Sequence, residues 1–97
     1  MKIWNTIVVD DEPYARLDII KMLKEHPFIN IIGEAESLPT AKNVIKERKP
    51  DLVFLDIDLG ADTGFDLLEF FESKFHVIFV TAYDEFAIRA FEVNALD

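Results

Sequence analysis

Leu52-Val53-Phe54-Leu55-Asp56 is a run of four apolar residues stopped by a carboxylate. Lys49-Pro50-Asp51 precedes it, and Ile57-Asp58-Leu59-Gly60-Ala61-Asp62-Thr63-Gly64, a loop with two glycines, follows. A short apolar run between turn signals suits a strand covered on both faces, as in a parallel sheet flanked by helices. Asp56 lies past that core. In open α/β sheets the carboxyl ends of the strands form the ligand crevice, so Asp56 falls where such folds keep their chemistry. By itself such an acid reads first as a solvated strand end, and its meaning rests on what else reaches the same rim.

Toward the N-terminus, Thr6-Ile7-Val8-Val9 is a second β-branched strand that ends on acids, Asp10-Asp11-Glu12. Pro13 then suits the first position of a helix, where its missing N–H is no loss. Ala15, Ile19, Met22 and Leu23 give that helix one buried stripe, leaving Arg16, Lys21, Lys24 and Glu25 to water. His26-Pro27 ends it, with His26 a surface residue. The segment from Phe28 to Ala35 reads as a less continuous strand near the sheet edge. Ser37 caps a helix whose inner stripe is Leu38, Ala41, Val44 and Ile45, with Pro39 tolerated in the first turn.

Toward the C-terminus, Gly64-Phe65-Asp66-Leu67-Leu68-Glu69-Phe70-Phe71 predicts a helix with Leu67, Leu68 and Phe71 inward. Val77-Ile78-Phe79-Val80 is another apolar strand, ending on Thr81-Ala82, and Asp84 caps a last helix containing Phe86, Ala87, Ala90 and Phe91. The order β-α-β-α-β-α-β-α defines an α/β chain, a doubly wound, mostly parallel sheet with right-handed crossovers.

Composition narrows the function classes. With 97 residues the chain makes one small domain, which buries about 60 to 65% of its unfolded surface and needs most of its elements to be stable. Half the residues are apolar, nine of them Phe, which excludes a disordered acidic segment. A net charge of −9, with ten Lys and Arg scattered along the chain, argues against contact with nucleic acid or an anionic membrane. The absence of cysteine removes disulfides, thiol catalysis and thiolate metal sites, and suits a reducing cytoplasm. Met1 to Val9 is no signal peptide, and no segment nears the roughly 20 apolar residues that span a bilayer.

Asp10 and Asp11 follow the first strand, Asp56 ends the third, and Thr81 follows the fourth, so a parallel sheet would gather all of them at one rim. Clustered carboxylates either hold protons with raised pKa values or recruit a cation. An all-oxygen set without His or Cys selects a hard ion, and Mg²⁺ fits best. Phosphoryl chemistry follows, because a carboxylate can attack phosphorus while the metal neutralises charge on the transferring group. Asp56, at the centre of the sheet, is the preferred nucleophile. Asp11 is the preferred direct metal ligand, and Thr81 can donate its hydroxyl to a phosphoryl oxygen.

Val8-Val9-Asp10-Asp11-Glu12-Pro13, Pro50-Asp51-Leu52-Val53-Phe54-Leu55-Asp56-Ile57, Thr63-Gly64-Phe65-Asp66-Leu67-Leu68 and Val80-Thr81-Ala82 together resemble the receiver domain of two-component response regulators. The stretch from Tyr83 to Asp97 further resembles receivers of the LytR/AlgR (LytTR) type. The resemblance spans the chain and implies a flavodoxin-like fold. It implies that Asp56 accepts phosphate from a phosphohistidine on a sensor histidine kinase. It also implies that Asp10, Asp11, Asp56 and the backbone carbonyl of Asp58 hold Mg²⁺, and that Thr81 is the switch hydroxyl. A DNA-binding effector, as transcription regulators of this type carry, would lie outside this segment.

Two departures from the pattern matter. Gly60 stands where receivers often have Pro, which loosens the loop. The family's pattern also continues past the final Leu-Asp with an aromatic switch residue, a Lys-Pro on a fifth strand and a fifth helix. The chain is therefore expected to lack that strand and helix, leaving Val77 to Val80 as a bare apolar edge open to a homodimer or a swapped element unless the last helix folds over it. Two other readings compete. Asp56-Ile57-Asp58 is similar to the Asp-x-Asp signature of haloacid-dehalogenase-type phosphohydrolases, though Gly60 departs from it. A phosphorylation-independent or signalling-incompetent receiver fragment, acting as a binding module, would keep the fold and give the acidic rim only a structural role.

Overall fold

The computed structural model of the chain describes residues 2–56, 58–59, 62–63, 66–67, 75–80 and 91–93. Chain order gives β1 (Trp4–Val9), α1 (Pro13–Leu23), β2 (Ile29–Ala35), α2 (Leu38–Arg48), β3 (Leu52–Asp56), β4 (Asp58–Leu59), β5 (Asp62–Thr63), β6 (His76–Val80) and β7 (Phe91–Val93). The main sheet has the order β2-β1-β3-β6-β7. β3 is its middle strand, and β1, β2, β3 and β6 are parallel. The interrupted apolar pattern of residues 28–35 places β2 at the edge, as expected of a strand with only one covered side.

Alternation along the strands sorts the core into two layers. Ile7, Val9, Val53, Leu55, Val77 and Phe79 point to the side where Leu38, Ala41 and Ile45 of α2 pack. Val8 points the other way, toward Ile19, Ile20 and Leu23 of α1, with Phe54 and Val80 packed against them. Period-two strands with a helix on each face are what a doubly wound sheet requires. Leu67, inside the third predicted helix, is fully buried in the α2 layer, and Asp66 and Leu67 are helical. Leu68 and Phe71 lie outside the described residues.

Both helices start on the predicted signals. Pro13 is at the first turn of α1, and the Glu12 carboxylate accepts the Tyr14 and Ala15 amides at 2.8 and 3.1 Å. The Ser37 hydroxyl accepts the Thr40 amide at 3.3 Å at the head of α2. The buried stripe of α1 differs from the predicted one. Met22 is 50% exposed, and Ile20 is buried in its place. Ile19, Ile20 and Leu23 continue back to Arg16 at i, i+3, i+4 and i+7 spacing, so the inner face is turned toward a residue read as solvent-facing.

At the amino end of the sheet, Asp51 ties three strands together. Its amide donates to the Asn5 carbonyl at 2.8 Å, and its carboxylate accepts the Asn5 amide at 2.9 Å. Its carbonyl accepts the His76 amide at 2.9 Å, so β1, β3 and β6 start from one residue.

Two expectations fail in the second half. The segment after Asp56 is not wholly loop, because β4 and β5 pair antiparallel with Asp58 opposite Thr63. The outer edge of β6 is not bare either. β7 pairs with it antiparallel, Val77 opposite Val93 and Phe79 opposite Phe91, which removes the open template for strand exchange at β6. Phe91 thus belongs to a strand, not to the predicted last helix. Asp84, Phe86, Ala87 and Ala90 lie outside the described residues. Among the described residues no helix is long and apolar enough to cross a membrane.

Candidate functional site

Parallel pairing decides which side chains meet. Val9 is the rung partner of Leu55, so the chain leaves β1 at Asp10 beside the point where β3 ends at Asp56. The outcome is a cluster in which one carboxylate oxygen each from Asp10, Asp11 and Asp56 lies within 4.8 Å of the others. Asp10 is buried, Asp56 is half-buried and Asp11 is exposed. The predicted meeting of the strand-end acids is therefore seen.

Asp10 is held at three points. Its amide donates to the Ala35 carbonyl at 3.1 Å. Its carboxylate accepts the Glu12 amide at 2.9 Å, and its carbonyl accepts Nη1 of Arg16 at 2.8 Å. Burial, the strongest influence, pushes the Asp10 carboxyl above the ordinary carboxylate range, and the negative charge of Asp11 pushes the same way. The Glu12 amide, a hydrogen bond with Asp56 and the charge of Arg16 oppose the rise without cancelling it.

Such a cluster favours either a proton or a cation between its acids. Mg²⁺ takes oxygen ligands at about 2.0–2.1 Å in an octahedron, which separates adjacent donors by about 2.9 Å and opposite ones by about 4.1 Å. Carboxylate oxygens within 4.8 Å of one another need little movement to meet that spacing. Thus the donor chemistry and the spread both fit a hard divalent ion. Asp58 follows two residues after Asp56 on β4, with its backbone paired to Thr63. Thr81 lies outside the described residues, and Val80, just before it, is the rung partner of Asp56.

Arg16 and Glu34 belong to this site and were not expected there. Nε of Arg16 meets Oε1 of Glu34 at 2.8 Å, with the Arg16 side chain 16% exposed. The signal for Arg16 was its spacing from Ile19, Ile20 and Leu23, which puts it on the inward face one turn above the core.

A doubly wound parallel sheet with an acidic carboxyl-end rim is compatible with several chemistries, and comparison with known proteins makes the class definite. The chain belongs to the response regulator receiver domain family, whose pattern it matches over residues 6–97. It is similar to the sensory transduction protein LytT of Enterococcus faecalis, 41% identical over 96% of this chain and 40% of the relative. LytT of Bacillus subtilis is 42% identical with the same coverage, 96% and 40%. The chain thus spans about 40% of the length of these relatives. Among solved structures, the receiver domain of the response regulator NarL from Mycobacterium tuberculosis superposes with a TM-score of 0.76 at 25% identity, covering 87% of this chain and 70% of that one. The chain is a receiver domain of two-component signalling, and this does not favour the phosphohydrolase reading of Asp56-Ile57-Asp58.

Proposed function

We propose that Asp56 accepts a phosphoryl group from a phosphohistidine of a sensor histidine kinase, with Mg²⁺ held by Asp10, Asp11, Asp56 and the backbone carbonyl of Asp58. The observation that carries this reading is the carboxylate cluster with Asp56 at the end of the middle strand. A carboxylate oxygen of Asp56 attacks phosphorus, the P–N bond to the imidazole breaks, and its electron pair stays on the departing imidazole nitrogen, which takes up a proton. The product is an acyl phosphate. Mg²⁺, when bound, supplies positive charge to the phosphoryl oxygens. Asp10 and Asp11 orient the site from β1, and the Thr81 hydroxyl donates to a phosphoryl oxygen once it is in place. The added charge then biases the segment that follows Thr81, the usual way phosphorylation is read out.

In this reading the domain is modified once per signal and is not a turnover enzyme. It works in the cytoplasm, and any effector it controls lies elsewhere in the whole protein. Intact mass after incubation with Mg²⁺ and acetyl phosphate tests the proposal. One phosphoryl group on wild type and none on Asp56→Asn is the expected result. No addition to a folded wild type would overturn it.

A further inference from the structure

The peptide joining Asp10 to Asp11 is gripped from outside the acidic cluster. Its carbonyl accepts Nη1 of Arg16, while Nε of the same guanidinium is engaged by Glu34, both at 2.8 Å. Glu34 sits on β2 opposite Val8, one residue before Ala35, whose carbonyl takes the Asp10 amide. Both sides of Asp10 are thereby referred to the same edge strand. Because a peptide unit is planar, fixing the Asp10 carbonyl also fixes the direction in which the chain enters Asp11. Asp11 is the exposed member of the cluster and gains most from such a constraint.

We propose that Arg16, braced by Glu34, is a positioning residue that sets the Asp10–Asp11 peptide and so pre-arranges the Asp11 carboxylate for Mg²⁺. What the site holds rests on the function proposed above. The role is geometric, since the two guanidinium bonds fix the direction of the Asp10 carbonyl from β2. Two edges of a rigid guanidinium serve two acceptors in fixed directions, which the single ammonium of Lys cannot reproduce. The pair with Glu34 is an open one, Glu34 being 54% exposed, so its loss should spare the fold.

The test is calorimetric titration of the full chain with Mg²⁺ alone, on wild type, Arg16→Gln, Arg16→Lys and Glu34→Gln, with thermal midpoints measured alongside. Loss of a partner behind a metal ligand typically weakens affinity 10–100-fold. Arg16→Gln is expected to weaken Mg²⁺ binding about tenfold, near the low end of that range, with Arg16→Lys recovering less than half of the loss. Glu34→Gln should lower affinity about threefold at an unchanged midpoint, a separation that a purely structural role would not produce. Wild-type affinity in folded Arg16→Gln, or full recovery by Arg16→Lys, would overturn the inference. Should both Arg16 variants fail to fold, Glu34→Gln decides, and unchanged affinity there overturns it. Wild type without measurable Mg²⁺ binding does so too. Acetyl phosphate labelling followed by mass judges the acceptor role of Asp56 separately. Mg²⁺ binding without labelling sinks that role and leaves the Arg16 affinity ratio to stand or fall alone.

Discussion

Asp10 shows how a single carboxyl trades fold against site. Burial raises its pKa, so the metal-free folded state holds this proton more tightly than the unfolded chain does. By linkage, a raised carboxyl contributes stability that is fully present below its unfolded pKa and is lost as pH rises through the folded value. Asp10→Asn should therefore raise the thermal midpoint of the metal-free protein at neutral pH, with the gain shrinking as pH is lowered. Melts over a pH series in chelator would check this, and a lowered neutral midpoint would refute it. Mg²⁺ should raise the midpoint of wild type, by an amount that grows as RT ln(1 + [Mg²⁺]/Kd), and do much less for the variant. Asp10, Asp11 and Asp56 were legible in the sequence because an acid that stops an apolar strand has one place to go in a parallel sheet. Arg16 was not, because a charged residue at a helix start reads as solvated, and only the packing of Ile19, Ile20 and Leu23 turns its face inward.

At the scale of elements, the contact of α2 with β2 turns on Gly33. The β1–β2 register slips between Thr6 and Ile7, so that Ile7 faces Gly33 and the strand carries an irregularity there. A Cβ on Gly33 would stand 3.0 Å from Cγ1 of Val44, so that the Val44 side chain must give by a few tenths of an ångström. Gly33→Ala should destabilise the domain by about 1–3 kcal/mol, the usual range for overpacking. Val44→Ala in that background should return part of the loss, and a denaturant double-mutant cycle would measure the coupling. Additivity of the two changes would rule the contact out. Helix starts were readable to the residue here because Pro13 and Ser37 act locally. The stripe of α1 and the strand state of Phe91 were not. Ala87, Ala90 and Phe91 have helical spacing, while Phe91-Glu92-Val93 also alternates, and pairing with β6, a non-local contact, chose between them.

For the whole molecule the governing number is a net charge of −9 on 97 residues, with acids gathered at one rim. Self-repulsion of that kind opposes the compact state and is screened by salt over about 10 Å at 0.1 M. The metal-free domain should thus melt at a higher temperature as NaCl is raised, and the salt effect should shrink once Mg²⁺ is present. A midpoint indifferent to salt without the metal would contradict this. The alternating βα order made the topology legible, since four apolar strands separated by helices admit few arrangements. The covering of β6 by β7 was not, because nothing within β6 specifies its partner and the antiparallel pairing comes from a segment with helical spacing.

Asp51 gives the sheet a mechanical polarity. At one end it staples β1, β3 and β6 through three backbone-directed bonds of 2.8 to 2.9 Å, while at the other end the same strands β1 and β3 run out into mutually repelling acids. Charge placed at the acidic end adds to carboxylates already crowded within 4.8 Å of one another, whereas the opposite end is tied across three strands by a single residue, so the electrostatic load of the sheet falls at the end its backbone staple does not reach.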